Sequence, residues 1–78
     1  MLNDDLLFTK RGLAHLHDAV LDGCDLSLGD DALKALFFRL PQCIQDSARQ
    51  WGLSDTPVRD GICVWAQENI AEVAAIGK

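Results

Sequence analysis

Between Ile44 and Ile62 the chain reads IQDSARQWGLSDTPVRDGI, and the glycine near its centre limits the fold more than any other residue. Five positions later stands Pro57, which a helix tolerates in its first turn because the N–H it lacks would have had no helical partner. One helix therefore ends at Gly52 and another begins near Thr56, with Gly52 supplying the positive φ that a sharp interhelical turn demands. Ala48 is small enough to sit where the two helices approach closely. Ser54 or Thr56 is expected to cap the second helix, and Val58 and Ile62, one turn apart, are expected to face Trp51 and Leu53.

The same helical spacing runs through the rest of the chain. Asn3 is read as the cap of a first helix, with Asp4 and Asp5 against the positive end of its dipole. A later start near Thr9 is the alternative. Its apolar stripe is Leu6, Leu13, Leu16 and Val20, widened by Leu7, Ala14 and Leu21, with Gly12 weakening its middle and Gly23 as the C-cap. Ser27 and Asp30 resemble a capping box for a second helix over 28–39, apolar nearly all round. Pro41 stops that helix and opens a third over 41–51. A fourth over 57–75 carries Val58, Ile62, Trp65, Ala66, Ile70 and Val73 on one stripe. The expected fold is all-α, a small four-helix bundle containing a helix-turn-helix-like pair, in one domain spanning 1–78.

Composition sets the function classes. With 78 residues, 49% of them apolar, the chain has room for one modest core, and its stability should be marginal without a covering partner. The net charge of −5 and pI near 4.6 oppose phosphate binding, because duplex affinity comes largely from Lys and Arg. Cys24, Cys43 and Cys63 have neither CxxC spacing nor a histidine pair beside them, so buried free thiols in a reducing cytoplasm are expected, with no metal. An acidic N-terminus and the lack of a long apolar run argue against a signal peptide and against a membrane partner.

The pattern AxxxGLSxTPVRDGI resembles the helix-turn-helix core of GntR-type winged-helix regulators, whose usual form is A-x-x-x-G-V-S-R-T-P-V-R-E-A-L. The resemblance covers segment 44–62. It implies a DNA-binding regulator, too acidic to bind well as a monomer and so expected to be a dimer, with Thr56, Arg59 and Asp60 in the major groove and Arg49 or Arg39 on the backbone. Asp55 stands where those regulators carry a basic residue, Gly61 where they carry a small helix former, and the β-wing is missing. The string LGDDALKAL is similar to the attachment region of acyl carrier proteins, but Ala32 holds the serine position, so no cofactor is expected.

No serine, cysteine or carboxylate pair shows catalytic spacing, and His15 and His17 point to different sides of a helix, so a non-enzymatic role is expected. Within LFFRL, one of Phe37 and Phe38 is hard to bury. Leu36, Phe37, Phe38 and Leu40 are therefore the candidate partner-binding residues, while Trp51 and Trp65, whose other reading is as partner anchors, are expected in the core. The expected function is a small regulatory adaptor or inhibitor that binds another protein or a second copy of itself. The alternatives are the DNA-binding regulator and an acidic mimic of nucleic acid.

Overall fold

The computed structural model describes residues 7–77, and these form five helices with no strand among them: α1 Lys10–Cys24, α2 Asp30–Phe37, α3 Gln42–Trp51, α4 Thr56–Glu68 and α5 Ile70–Ile76. The fold is a small all-α one. The expectations for Asn3, Asp4, Asp5 and Leu6 fall outside the described residues. Within them, α1 starts late: the Thr9 hydroxyl accepts from the Gly12 N–H at 3.1 Å, so Gly12 lies in the first turn rather than mid-helix. The helix ends on Asp25, whose φ of 56° puts it in the left-handed region that Asp tolerates. Gly23 is therefore inside α1, and its missing side chain serves a different purpose. A Cβ there would meet the Cys63 carbonyl and lie 3.1 Å from the Ala66 Cβ, which makes it the close-approach point of α1 and α4.

The buried core draws on every helix. Leu13, Leu16, Ala19 and Val20 come from α1, Leu33, Leu36 and Phe37 from α2, Ala48 from α3, Val58, Ile62 and Ala66 from α4, and Val73 from α5. Leu28, Leu40 and Leu53 close it from the connections. Helix α4 packs most extensively on α1, and α5 reaches back to α2.

Capping differs from the sequence expectation in two connections. The Ser27–Asp30 box does not form. Gly29 occupies the N-cap of α2 without a side-chain bond, while the Ser27 hydroxyl sits 3.0 Å from His17 Nε2 and ties the loop to α1. Neither Ser54 nor Thr56 caps α4, because Asp55 holds the N-cap position, also without a side-chain bond. Between α2 and α3 the buried Gln45 amide donates to the carbonyls of Leu40 at 2.8 Å and Phe38 at 3.3 Å, acceptors left over where α2 ends.

The expected fourth helix is two helices. At Asn69 the side-chain amide donates to the Trp65 carbonyl at 2.8 Å, the acceptor that the Asn69 backbone N–H would take in an unbroken helix. That N–H moves to Ala66 O instead, at 3.2 Å, and the residue adopts φ −128° and ψ 41°. The chain turns there, burying Val73 and leaving Ile70 exposed rather than on the common stripe. Arg39 Nη1 and Glu72 Oε1, 3.0 Å apart on the surface, join the end of α2 to α5.

The hinge itself forms as the sequence implied. Gly52 has φ 94° and ψ 162°, and Ala48 is fully buried beneath the turn. A Cβ on Gly52 would touch nothing within 4 Å, so substitution acts on the backbone alone. Gly52→Ala is expected to destabilise the fold by about 1–3 kcal/mol, the usual penalty for a side chain in glycine-only backbone space. Thermal melts followed by circular dichroism check this, and an unchanged midpoint would contradict the hinge geometry.

Candidate protein-binding groove

Helices α3 and α4 leave their outer faces uncovered, and those faces meet in a groove. On α3 the spacing of Ile44, Ser47 and Trp51 places them along one side of the helix. On α4 the series Pro57, Asp60, Gly61, Val64 and Glu68 does the same. Two depressions result. One, of about 450 Å³, is lined by Cys43, Ile44, Ser47, Trp51, Asp55, Pro57 and Val58. The other, of about 420 Å³, is lined by Pro41, Ile44, Asp60, Gly61, Val64, Trp65 and Glu68. Ile44 belongs to both, so the two depressions flank its side chain and line the α3–α4 seam as a two-part trough.

The floor is low where Gly61 faces α3. A Cβ at that position would lie 3.4 Å from the end of the Ile44 side chain, so the glycine leaves a notch into which Ile44 leans. The residue that departs from the GntR-like pattern thus shapes the surface. The two ends of the trough are apolar and open, with Trp51 64% and Val64 51% exposed. Every charged residue lining the trough is a carboxylate: Asp55, Asp60 and Glu68.

The residues singled out from sequence are distributed differently. Leu36 and Phe37 are fully buried and Leu40 is 3% exposed, which removes all three from the accessible surface. Phe38 alone of that group is exposed, its ring edge-on to Phe37 at 5.4 Å and to Phe8 at 5.9 Å. Trp51, read as core and as packed by Val58 and Ile62, is instead on the surface, whereas Trp65 is half-buried against the core. Of the cysteines, Cys43 is exposed and the other two half-buried, and all are free.

The DNA candidates are not gathered on one face. Arg49 is turned back onto α2 and α3: its guanidinium lies 5.4 Å from the Phe37 ring centroid, 3.4 Å from Gln45 Oε1 and 3.7 Å from Asp46 Oδ1. Thr56 and Arg59 line a separate crevice against α1, with Ala19, Asp22, Asp60 and Cys63. The Arg59 Nε is buried there without a hydrogen-bond partner. A guanidinium held by its own fold, or sunk at its stem, is poorly placed to reach a phosphate or a base edge.

His17 brings together a serine and a carboxylate, an arrangement reminiscent of nucleophilic catalysis. Its Nδ1 is 3.8 Å from Asp18 Oδ1, too long for a hydrogen bond that would orient the ring, and the Asp18 side chain is 60% exposed. Ser27 is exposed as well, so nothing excludes water from the pair. The contact acts as a loop tether. Among the described residues no cluster of His, Cys, Asp and Glu could hold a metal ion, and no helix is long and apolar enough to cross a membrane.

Comparison with protein-family models, with curated proteins and with solved structures returns no match to this chain. The likeness of segment 44–62 to GntR-type regulators therefore stands on its own residues.

The trough was missed at the level of sequence because the α4 stripe of Val58, Ile62, Trp65 and Ala66 accounted for most of that helix's apolar residues. Val64 was the signal. It lies off the stripe, next to a mid-helix glycine, where a purely structural helix would carry a polar residue.

Proposed function

We propose that this chain is a small non-enzymatic interaction protein, an adaptor or inhibitor, that engages another protein through the groove between α3 and α4. The observation that carries this reading is the exposure of Trp51 and Val64 at the two ends of a trough with Ile44 at its middle. Tryptophan is among the residues that most often dominate interface energetics. The acidic rim opposes the DNA-binding alternative, since the outer face of α4 offers Asp60 and Glu68 where a phosphate-reading surface needs cations. The mimic of nucleic acid is less well supported, because the carboxylates here border an apolar centre rather than forming an unbroken charged face.

Affinity capture from native cell extract, with wild-type protein and Trp51→Ser side by side, tests the reading. Trp51 is mostly solvent-exposed, so the variant should keep its helicity and melt close to the wild type. The wild type should retain at least one protein that the variant releases. Identical captured sets would remove this function, and duplex DNA shifting on a gel at about 50 mM salt and losing that shift with Arg59→Ala would replace it with the alternative.

A further inference from the structure

The geometry points to one class of occupant for the α3–α4 groove: a single amphipathic helix of a partner protein, with an apolar stripe flanked by lysines or arginines. This inference rests on the interaction reading above and adds the chemistry of the bound segment.

Three observations support it. The lining is apolar along the seam, with Ile44 between one hollow that holds Trp51 and Val58 and another that holds Val64 and Trp65, so a segment covering it needs an apolar stripe. The charged lining is of one sign along the whole length: Asp55 borders the Trp51 end, while Asp60 and Glu68 border the Val64 end. No lysine or arginine lines either depression. The walls are helices, and no strand exists among the described residues to which an extended peptide could add.

The charge argument also disfavours a second copy of this chain. At a net charge of −5, two copies docked through this groove would bring Asp55, Asp60 and Glu68 of each toward an equally acidic surface. A basic helix removes that repulsion and gains from it, and its association should quicken at low salt.

The test uses a fluorescein-labelled peptide of about 16 residues, with leucines at i, i+3, i+4 and i+7 and lysines beside them. A control peptide has the same composition with the leucines scattered around the helix. Fluorescence anisotropy with the full chain should show micromolar binding of the first peptide, at least about tenfold tighter than the control, as a groove with defined hollows requires. Binding should weaken about fivefold or more between about 50 and 300 mM salt. Trp51→Ser and, separately, Val64→Ser should each weaken it about fivefold or more. Asp60→Asn with Glu68→Gln should flatten the salt dependence.

Equal binding of the two peptides, or binding indifferent to Trp51→Ser and Val64→Ser, overturns the proposal. If the peptide fails while capture from extract still depends on Trp51, the interaction surface stands and the basic-helix occupant is wrong. If neither depends on Trp51, both readings fall. A dimer in sedimentation of the protein alone, dispersed by Trp51→Ser, would make a second copy the occupant and overturn the basic helix.

Discussion

Phe37→Ala is expected to destabilise the protein by about 3–5 kcal/mol, the range for removing a fully enclosed aromatic side chain. The side chain has no solvent exposure and is among the largest so buried. It also organises its neighbours. Phe8 and Phe38 each present an edge to it at 5.4 Å, and the Arg49 guanidinium stands 5.4 Å from its centroid. Such ring contacts add about 0.5–1.5 kcal/mol each beyond area burial, so their loss pushes the value toward the upper end. For a domain of this length the whole stability is on the order of 4–12 kcal/mol, and the variant should lose a large part of it. Phe37→Asp should not fold. Phe38, 53% exposed, provides the contrast: Phe38→Ala gives up its ring contacts with Phe37 and Phe8 but little buried area and is expected to cost about 1–2 kcal/mol, and Phe38→Asp should retain native helicity. Urea denaturation of the four variants checks this. Similar midpoints for Phe37→Ala and Phe38→Ala would mean that the two rings are not partitioned between core and surface as described.

That contrast shows where the sequence stops being informative. The run LFFRL shows that two adjacent rings cannot both face inward on a short helix, since neighbours lie about 100° apart, but not which one wins. The choice depends on Phe8 and Arg49 arriving from elsewhere in the chain. Local chemistry was readable where it is dictated by the backbone. The positive φ of Gly52, the place of Pro57 in the first turn of α4 and the burial of Ala48 follow from residue type together with the spacing around the turn. It was not readable where a polar side chain chooses between partners. Asn69 breaks the long helix by donating to Trp65 O, and Ser27 bonds His17 in place of its own helix. Neither choice leaves a mark on apolar periodicity. The groove was half legible: the acidic balance and the mismatch at Gly61 were visible, but an exposed Trp51 looks like a core tryptophan until the position of α4 is known.

Gly23→Ala and Gly61→Ala are expected to change stability in opposite directions, although the chemical change is identical. Both glycines lie inside helices, where alanine is favoured by about 1 kcal/mol from backbone propensity. At Gly61 that gain should largely survive. The added Cβ meets only the flexible end of Ile44, at 3.4 Å, so the variant should be about 0.5–1 kcal/mol more stable than the wild type. At Gly23 it should be lost and reversed. The obstacles there are the Cys63 carbonyl and the Ala66 Cβ, which belong to or sit directly on the backbone of α4 and cannot swing aside. Helices α1 and α4 would have to separate, and forced overpacking of this kind costs about 1–3 kcal/mol, so a net loss remains after the propensity gain. Midpoints of urea unfolding at constant slope measure both. A Gly23→Ala protein as stable as the wild type would show that α1 does not approach α4 this closely. The consequence would reach the groove, because α1 braces α4 from behind and so leaves the face bearing Gly61, Val64 and Glu68 free. Loosening that brace should weaken any ligand of the groove without altering a single residue that lines it.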